Sequence, residues 1–177
     1  SQKQSEIYHE RFPFLKDNNQ TILSSVFRVK DLEYIDALKF NKEPHNNKWA
    51  VIDGNSWIKG VEGSKNVVVN NNLQSEAEVL SGLPYYDLLR KLSEFKGLSF
   101  HPLGGDTCPR TTIEAKLLGL ELNLGDKVQH KDEEWFSRDS NEIEMYLLDR
   151  HKVFWKTIEV FLNRPISLSG YTTTKNV

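Results

Sequence analysis

Arg110 and Glu114 stand one helical turn apart in the run TCPRTTIEAKLL, directly after Asp106 and a Gly104-Gly105 pair. The surrounding stretch, FHPLGGDTCPRTTIEAKLLG (residues 100–119), reads as a strand end, a glycine-bearing loop and a helix. Leu98 and Phe100 form the apolar approach, and His101 and Pro102 the turn-off. The start of such a helix presents unpaired N–H groups and the positive end of the dipole, which suit an anion. Arg110 falls in the first turn, where a guanidinium can grip a phosphate through two parallel hydrogen bonds. A plainer reading competes with this one. Thr111 and Glu114 have the S/T-x-x-E spacing of a capping box, a helix-start device without chemistry, and on the motif alone that is the better reading.

Seven residues separate Asp106 from Glu114, and Ala115 follows the second acid. This resembles the acid–x7–acid motif of the large retaining glycosyltransferase family known as group 1. Pro102, Asp106, Glu114, Ala115 and Gly119 fall in register with the family's pattern. Asp106 stands where Glu is usual, and Thr107-Cys108-Pro109 replaces Gly-aromatic-Gly. The resemblance covers residues 21–125 and implies the GT-B architecture, two Rossmann-like domains facing across a cleft, of which this chain would be the C-terminal, donor-binding half. It further implies transfer of a sugar from a UDP- or GDP-sugar with retention, for glycan biosynthesis, with neither a bound metal nor a permanent cofactor. In that scheme Asp106, Arg110 and Glu114 are the catalytic set. Asp106 sits near the sugar, and Glu114 binds the ribose hydroxyls. Lys59, Arg110, Gly104, Gly105 and Thr107 meet the donor, with Lys59 and Arg110 on its diphosphate. The acceptor site belongs to an N-terminal domain missing from this chain, so the chain alone would transfer poorly.

These residues must be positioned by an α/β scaffold. Five strand candidates occur, at residues 21–27, 49–53, 76–80, 97–102 and 120–124. Helical periodicity marks 31–40 (Leu32, Ile35 and Leu38 inward), 84–95 (Pro84 first; Leu88, Leu89 and Leu92 on one face) and 107–118. Residues 61–71 read as a helix despite the β-favouring Val67-Val68-Val69. Alternation of this kind predicts a Rossmann-like, doubly wound parallel sheet of about five or six strands with a long C-terminal helix. Ligands of such sheets bind at the strand carboxyl ends, where the loops at 55–59 and 101–106 lie. Lys59-Gly60 follows the second strand on this count; in the resembled family such a pair follows the first. Trp57 can stack on a base, although capping the sheet edge is the commoner use of a tryptophan there.

The last helix, about 141–162, places Ile143, Leu147, His151, Phe154, Ile158 and Phe161 on one stripe, and Tyr146, Val153 and Val160 on a second. So much apolar surface needs a partner, and in the resembled family the C-terminal helices cross back to the other domain. Residues 1–20 read as a polar, turn-rich arm with an apolar knot at Phe12, Pro13, Phe14 and Leu15, 21–163 as the Rossmann-like domain, and 164–177 as a polar tail.

The chain has 177 residues, enough for one full-sized core and not two, and its polar start without Met reads as a piece of a longer protein. At 38% hydrophobic and 27% charged it is a globular composition. A formal charge of −2 with scattered Lys and Arg gives no nucleic-acid footprint. No apolar run approaches a membrane span and no signal peptide is visible, which leaves room for peripheral membrane association only. One cysteine, Cys108, excludes an internal disulfide and fits a reducing, cytoplasmic setting. Cys108 is a poor nucleophile candidate, because a thiol phosphatase would place Arg where Glu114 stands, and it reads as a small packed residue. His101, His130 and Asp132 make a weak metal triad from separate loops. The run VQHKDEEWF (128–136) reads as a surface loop anchored by Trp135 and Phe136. Neither a GxGxxG fingerprint nor a Walker loop is present, which counts against NAD and ATP. The alternative to a glycosyltransferase is a non-catalytic Rossmann-like module that binds a partner through its last helix.

Overall fold

The structure, a computed structural model, describes residues 1–14, 21–23, 25–40, 46–54, 56–70 and 75–163. In chain order the elements are α1 (Gln2–Arg11), α2 (Val29–Phe40), β1 (Asn46–Ile52), α3 (Val61–Asn70), β2 (Ala77–Leu80), α4 (Tyr85–Leu92), β3 (Phe95–Phe100), α5 (Arg110–Leu117), β4 (Glu121–Leu124), α6 (Glu134–Ser137) and α7 (Ser140–Leu162). The polar tail 164–177, Leu15 of the apolar knot, residues 41–45 and Asn55 lie outside the described residues.

β2, β1, β3 and β4 form one parallel sheet in that order. From β1 the chain winds outward to β2, returns across β1 to β3, and continues to β4. Right-handed crossovers then put α3 on one face and α4 and α5 on the other. α3 packs on β1, β2 and β3, while α5 packs on β3 and β4 and meets α2 and α7. Central strands covered on both faces become continuously apolar. β3 obeys this from Gly97 to Phe100, and β1 buries Trp49, Ala50 and Val51. The core closes with Leu89, Leu92, Ile113, Leu118, Ile143 and Leu147, all fully buried.

This is the doubly wound, Rossmann-like α/β fold with a long C-terminal helix, but among the described residues its sheet has four strands, not five or six. The missing strand is residues 21–27, whose described part has no regular structure. Its apolar residues serve a different purpose: Phe27 is buried against Arg110, so burial is satisfied by packing on a helix start rather than by a strand ladder. Lys59-Gly60 therefore follows the first strand. Residues 1–11, read as part of a turn-rich arm, are instead the N-cap and nearly three turns of helix α1, which buries nothing; Ser1 Oγ donates to Gln129 and Gln2 N to Glu133.

α5 begins later than its sequence pattern predicts, with Pro109 at the N-cap and no side-chain cap. Its end follows a Schellman pattern. Gly119, at φ 77, donates to Lys116 O at 2.9 Å, and Leu120 N to Ala115 O at 3.0 Å. Residues 128–136 are not a surface loop throughout: Trp135 and Phe136 anchor α6 as expected, but Val128, Gln129 and His130 are buried as well. Along α7 only Ile143 and Leu147 are fully buried, and the helix leaves Val160, Phe161 and Leu162 exposed. Among the described residues no helix is long and apolar enough to cross a membrane.

Candidate functional site

β1 and β3 are neighbours whose following helices lie on opposite faces, so a crevice opens between their carboxyl ends. Two loops line it, residues 53–54 and 56–60 after β1 and 101–109 after β3. They are stitched together. Leu103 N donates to Ile58 O at 2.7 Å, His101 N donates to Ser64 Oγ at 2.9 Å, and that hydroxyl donates to Gly60 O at 3.0 Å. Ser99 Oγ in turn reaches Ser64 O at 3.0 Å. Gly60 is indispensable to this approach: at φ 64 it is left-handed, and a Cβ there would stand 2.0 Å from His101 O.

Across the stitched loops Lys59 Nζ meets Asp106 Oδ2 at 2.9 Å, with 33% and 18% of the two side chains exposed. Lys59 also lies over the Phe100 ring, 5.4 Å from its centre. The backbone of Asp106 is clamped on the other side, its N–H to Lys127 O at 2.9 Å and its carbonyl to Gln129 N at 3.0 Å. Beside this pair a groove of about 490 Å³ is lined by Asp53, Ser56, Trp57, Gly60, Glu62 and Leu103. Trp57 is 78% exposed at its rim and does not cap the sheet edge. Gly105 backs onto Gln129, whose amide nitrogen would be 2.9 Å from an added Cβ, and Gly104 onto Ile58. Thr107 faces solvent.

Arg110 and Glu114 belong to a second cluster, built from α2, α4 and α5. Arg110 Nε donates to Glu114 Oε1 at 2.9 Å, and its Nη2 to Asp31 Oδ2 at 2.9 Å and to Tyr85 Oη at 3.1 Å. Tyr85 Oη donates to Glu114 Oε1 at 2.8 Å. Asp31 also accepts from Arg28 Nε and Nη2 and from Tyr86 Oη. The guanidinium of Arg110 stacks 4.1 Å from the centre of Phe27. Both carboxylates are buried, and they respond differently. Burial pushes the Asp31 carboxyl up, yet the hydrogen bonds from Arg28, Tyr86 and Arg110 together hold it below its ordinary value. For Glu114 burial wins, and its pKa is raised in spite of Tyr85 and Arg110. Glu114 is thus no capping-box acid: Pro109 is the N-cap, and the carboxylate is spent on Tyr85 and Arg110.

Cys108 is half-buried and accepts from Ser25 Oγ at 3.2 Å, as a packed residue would. His101 pairs with Asn123 at 2.8 Å. Thr112 Oγ1 donates to Pro109 O at 2.8 Å, so its 3.1 Å contact with His130 Nε2 has the histidine as donor. His130 Nδ1 is left a buried acceptor without a hydrogen bond, and burial lowers this ring's pKa to about 4. Among the described residues no three His, Cys, Asp or Glu side chains gather as a metal site.

No family model, no curated protein and no solved structure matches this chain.

Of the residues singled out in the sequence, Lys59 and Asp106 are brought together, as are Arg110 and Glu114, with Gly104, Gly105 and Thr107 on the loop between. Arg28, Asp31, Tyr85 and Phe27 have no part in any sequence motif. Asp31 alone left a trace, an acid on the same helical face as Ile35 and Leu38. A buried acid on an apolar face needs a cationic partner, and Arg28 and Arg110 supply it.

Proposed function

We propose that this chain is the donor-binding half of a GT-B glycosyltransferase and binds a nucleotide-activated sugar, UDP- or GDP-linked. One observation carries the reading. Lys59 and Asp106, the Lys-Gly lysine and the first acid of the acid–x7–acid pattern, meet at 2.9 Å at the switch point between β1 and β3. That is where doubly wound sheets bind their ligands. An incoming diphosphate competes with Asp106 for Lys59 and adds the N–H groups at the start of α5. The freed Asp106 carboxylate is then an acceptor for sugar hydroxyls. Positive charge fixed beside a leaving diphosphate stabilises charge that grows in the transition state, without a metal in the scheme. Glu114 reaches a ribose only if Tyr85 or Arg110 yields its oxygen, so ribose contact is coupled to a side-chain rearrangement. The acceptor half would come from a second domain.

A panel of nucleotide sugars read by thermal shift tests the proposal. Stabilisation that grows with the concentration of a UDP- or GDP-sugar supports it, and a flat response to all of them counts against it. The second reading, a non-catalytic partner-binding module, draws on the exposed Met145, Val160, Phe161 and Leu162 of α7. It predicts the flat response.

A further inference from the structure

We propose that the groove beside the Lys59–Asp106 pair seats the nucleobase of the donor, and that Trp57 and Asp53 make that base guanine. The proposal rests on the donor-binding reading and narrows it from UDP- or GDP-sugars to GDP-sugars.

The groove measures about 490 Å³, inside the range of roughly 300–1,000 Å³ usual for small-ligand sites. It opens at the carboxyl end of β1, where doubly wound sheets receive nucleotides. Trp57 and Leu103 give it apolar walls that are 78% and 53% exposed. Both are fixed through their backbones. Trp57 belongs to the 3-10 turn Trp57–Lys59, and Leu103 N donates to Ile58 O of that turn at 2.7 Å. An indole held open at a groove presents a π face, and a flat base stacked on it takes that apolar surface out of water. Lys59 ends the same turn, two trans peptide steps from Trp57, so their Cα atoms are at most about 7.6 Å apart. The Lys59 stem runs over Gly54, its Cγ 3.5 Å from where a Cβ on that glycine would stand, and Gly54 lines the groove. One short turn thus offers a stacking face and a cation side by side.

Asp53 directly follows β1, and its N–H is fixed to Leu80 O at 2.9 Å. Among the described residues its carboxylate has neither an ion pair nor a hydrogen bond, whereas the other acid of the lining, Glu62, pairs with Lys65 at 3.1 Å. An ionised carboxylate only accepts. Guanine carries two adjacent donors on one edge, N1–H and the N2 amine, which meet both carboxylate oxygens at once in charge-assisted bonds. Uracil sets a single N–H between two carbonyl oxygens, and those oxygens repel a carboxylate. Adenine and cytosine place a ring-nitrogen acceptor beside their amine. The start of α3, whose Val61 and Gly63 also line the groove, supplies backbone N–H groups of the kind guanine O6 needs.

Calorimetric titration of GDP, UDP and xanthosine diphosphate, and of GDP- and UDP-sugars, tests this on wild type, Asp53→Asn, Trp57→Ala and the surface control Arg138→Gln. The guanine seat predicts that wild type binds GDP at least about ten-fold more tightly than UDP. Asp53→Asn should lose that preference and bind xanthosine diphosphate better than GDP, because the Asn amide donates to the oxygen that replaces the guanine amine. Trp57→Ala should weaken GDP about ten-fold, with partial recovery in Trp57→Phe and no change in the control. A purely structural role for Asp53 and Trp57 would shift the melting temperatures of the ligand-free variants and leave the order of the bases alone, and that result overturns the proposal. UDP bound by wild type as tightly as GDP overturns it too, while a UDP-sugar that binds keeps the donor reading. Should GDP show the preference and the exchange to xanthosine diphosphate while no nucleotide sugar binds, the guanine seat stands and the donor reading falls. Absence of binding for every nucleotide overturns both.

Discussion

Lys59 and Asp106 are separated by 47 positions in sequence and by 2.9 Å in space, joined across the mouth of the crevice between β1 and β3. Each is partly open to water, so the pair itself contributes little stability, on the order of 1 kcal/mol or less. Its value is positional. Lys59→Met should leave the melting temperature within a few degrees of wild type and weaken a nucleoside diphosphate about ten-fold, with the free nucleoside unaffected. Calorimetry on both ligands separates this from a general loss of folding, which would weaken the two alike.

Gly60 is where the two crevice loops touch, and Gly82 provides an internal control. Both are left-handed, at φ 64 and 66, but a Cβ on Gly82 meets nothing whereas one on Gly60 meets His101 O at 2.0 Å. Gly82→Ala should cost roughly 1–2 kcal/mol from backbone strain alone. Gly60→Ala should cost clearly more, because two backbones must separate, and it should also lose ligand binding. Denaturant unfolding of the two variants side by side is the measurement; equal costs would mean the loop contact is slack.

The sheet was legible because β1, β3 and the helices between them carry strong periodic signals and sit between glycine and proline punctuation. Residues 21–27 misled for a physical reason. An apolar run announces burial, not the partner that provides it, and Phe27 found Arg110 rather than a neighbouring strand. That one error moved Lys59-Gly60 from the first strand to the second. The acid–x7–acid spacing singled out Asp106 and Glu114, but not that they would fall in separate clusters, that Glu114 would be enclosed by Tyr85 or that Arg110 would be tied to Asp31. Those are contacts between elements far apart in the chain, and no local pattern encodes them. Trp57, read as more at home on the sheet edge, stands exposed on the groove because its short 3-10 turn, Trp57–Lys59, lifts it away from the strands.

Asp31 ties α2 to α5, and its loss should be felt throughout the fold. Asp31→Asn leaves Arg28 and Arg110 facing each other without their carboxylate, although both can rehydrate because neither is buried. A cost of roughly 2–3 kcal/mol follows, below the value for a fully buried broken pair. The sign of the pH effect is fixed by the lowered pKa. The stabilisation is fully present above the unfolded-state value of about 3.9 and is lost as pH falls through the lower folded-state value. Acid unfolding of wild type and Asp31→Asn should therefore converge at low pH.

His130 should impose a second, separate pH dependence. Its ring titrates at about 4 in the fold, against about 6.5 when unfolded. Above about pH 6.5 both states hold it neutral; below, the unfolded chain takes the proton first, so stability falls as pH drops from 6.5 towards 4. The full effect is roughly 3 kcal/mol. His130→Gln keeps a donor for Thr112 and removes the titration. Its stability should be flatter across that window, as read by melting temperature at half-unit steps, and an unchanged slope would assign the dependence to other groups.

The purified chain should bind a donor sugar yet transfer it slowly. One Rossmann-like unit can hold the diphosphate, but orienting an acceptor accounts for about 7–11 kcal/mol of a bimolecular barrier, and the resembled enzymes use a second domain for that. Donor turnover measured with and without an acceptor-binding domain in the same polypeptide checks this. Comparable rates would place an acceptor site on this unit, around His101 and Asp106.

Direct titration of UDP- and GDP-sugars into the chain by calorimetry, with wild type and Lys59→Met run in parallel, bears most immediately on the donor-binding reading. The predicted result is saturable binding of one nucleotide sugar by wild type and about ten-fold weaker binding by the variant. Absence of binding for every nucleotide sugar, or equal affinity in the two proteins, would contradict it.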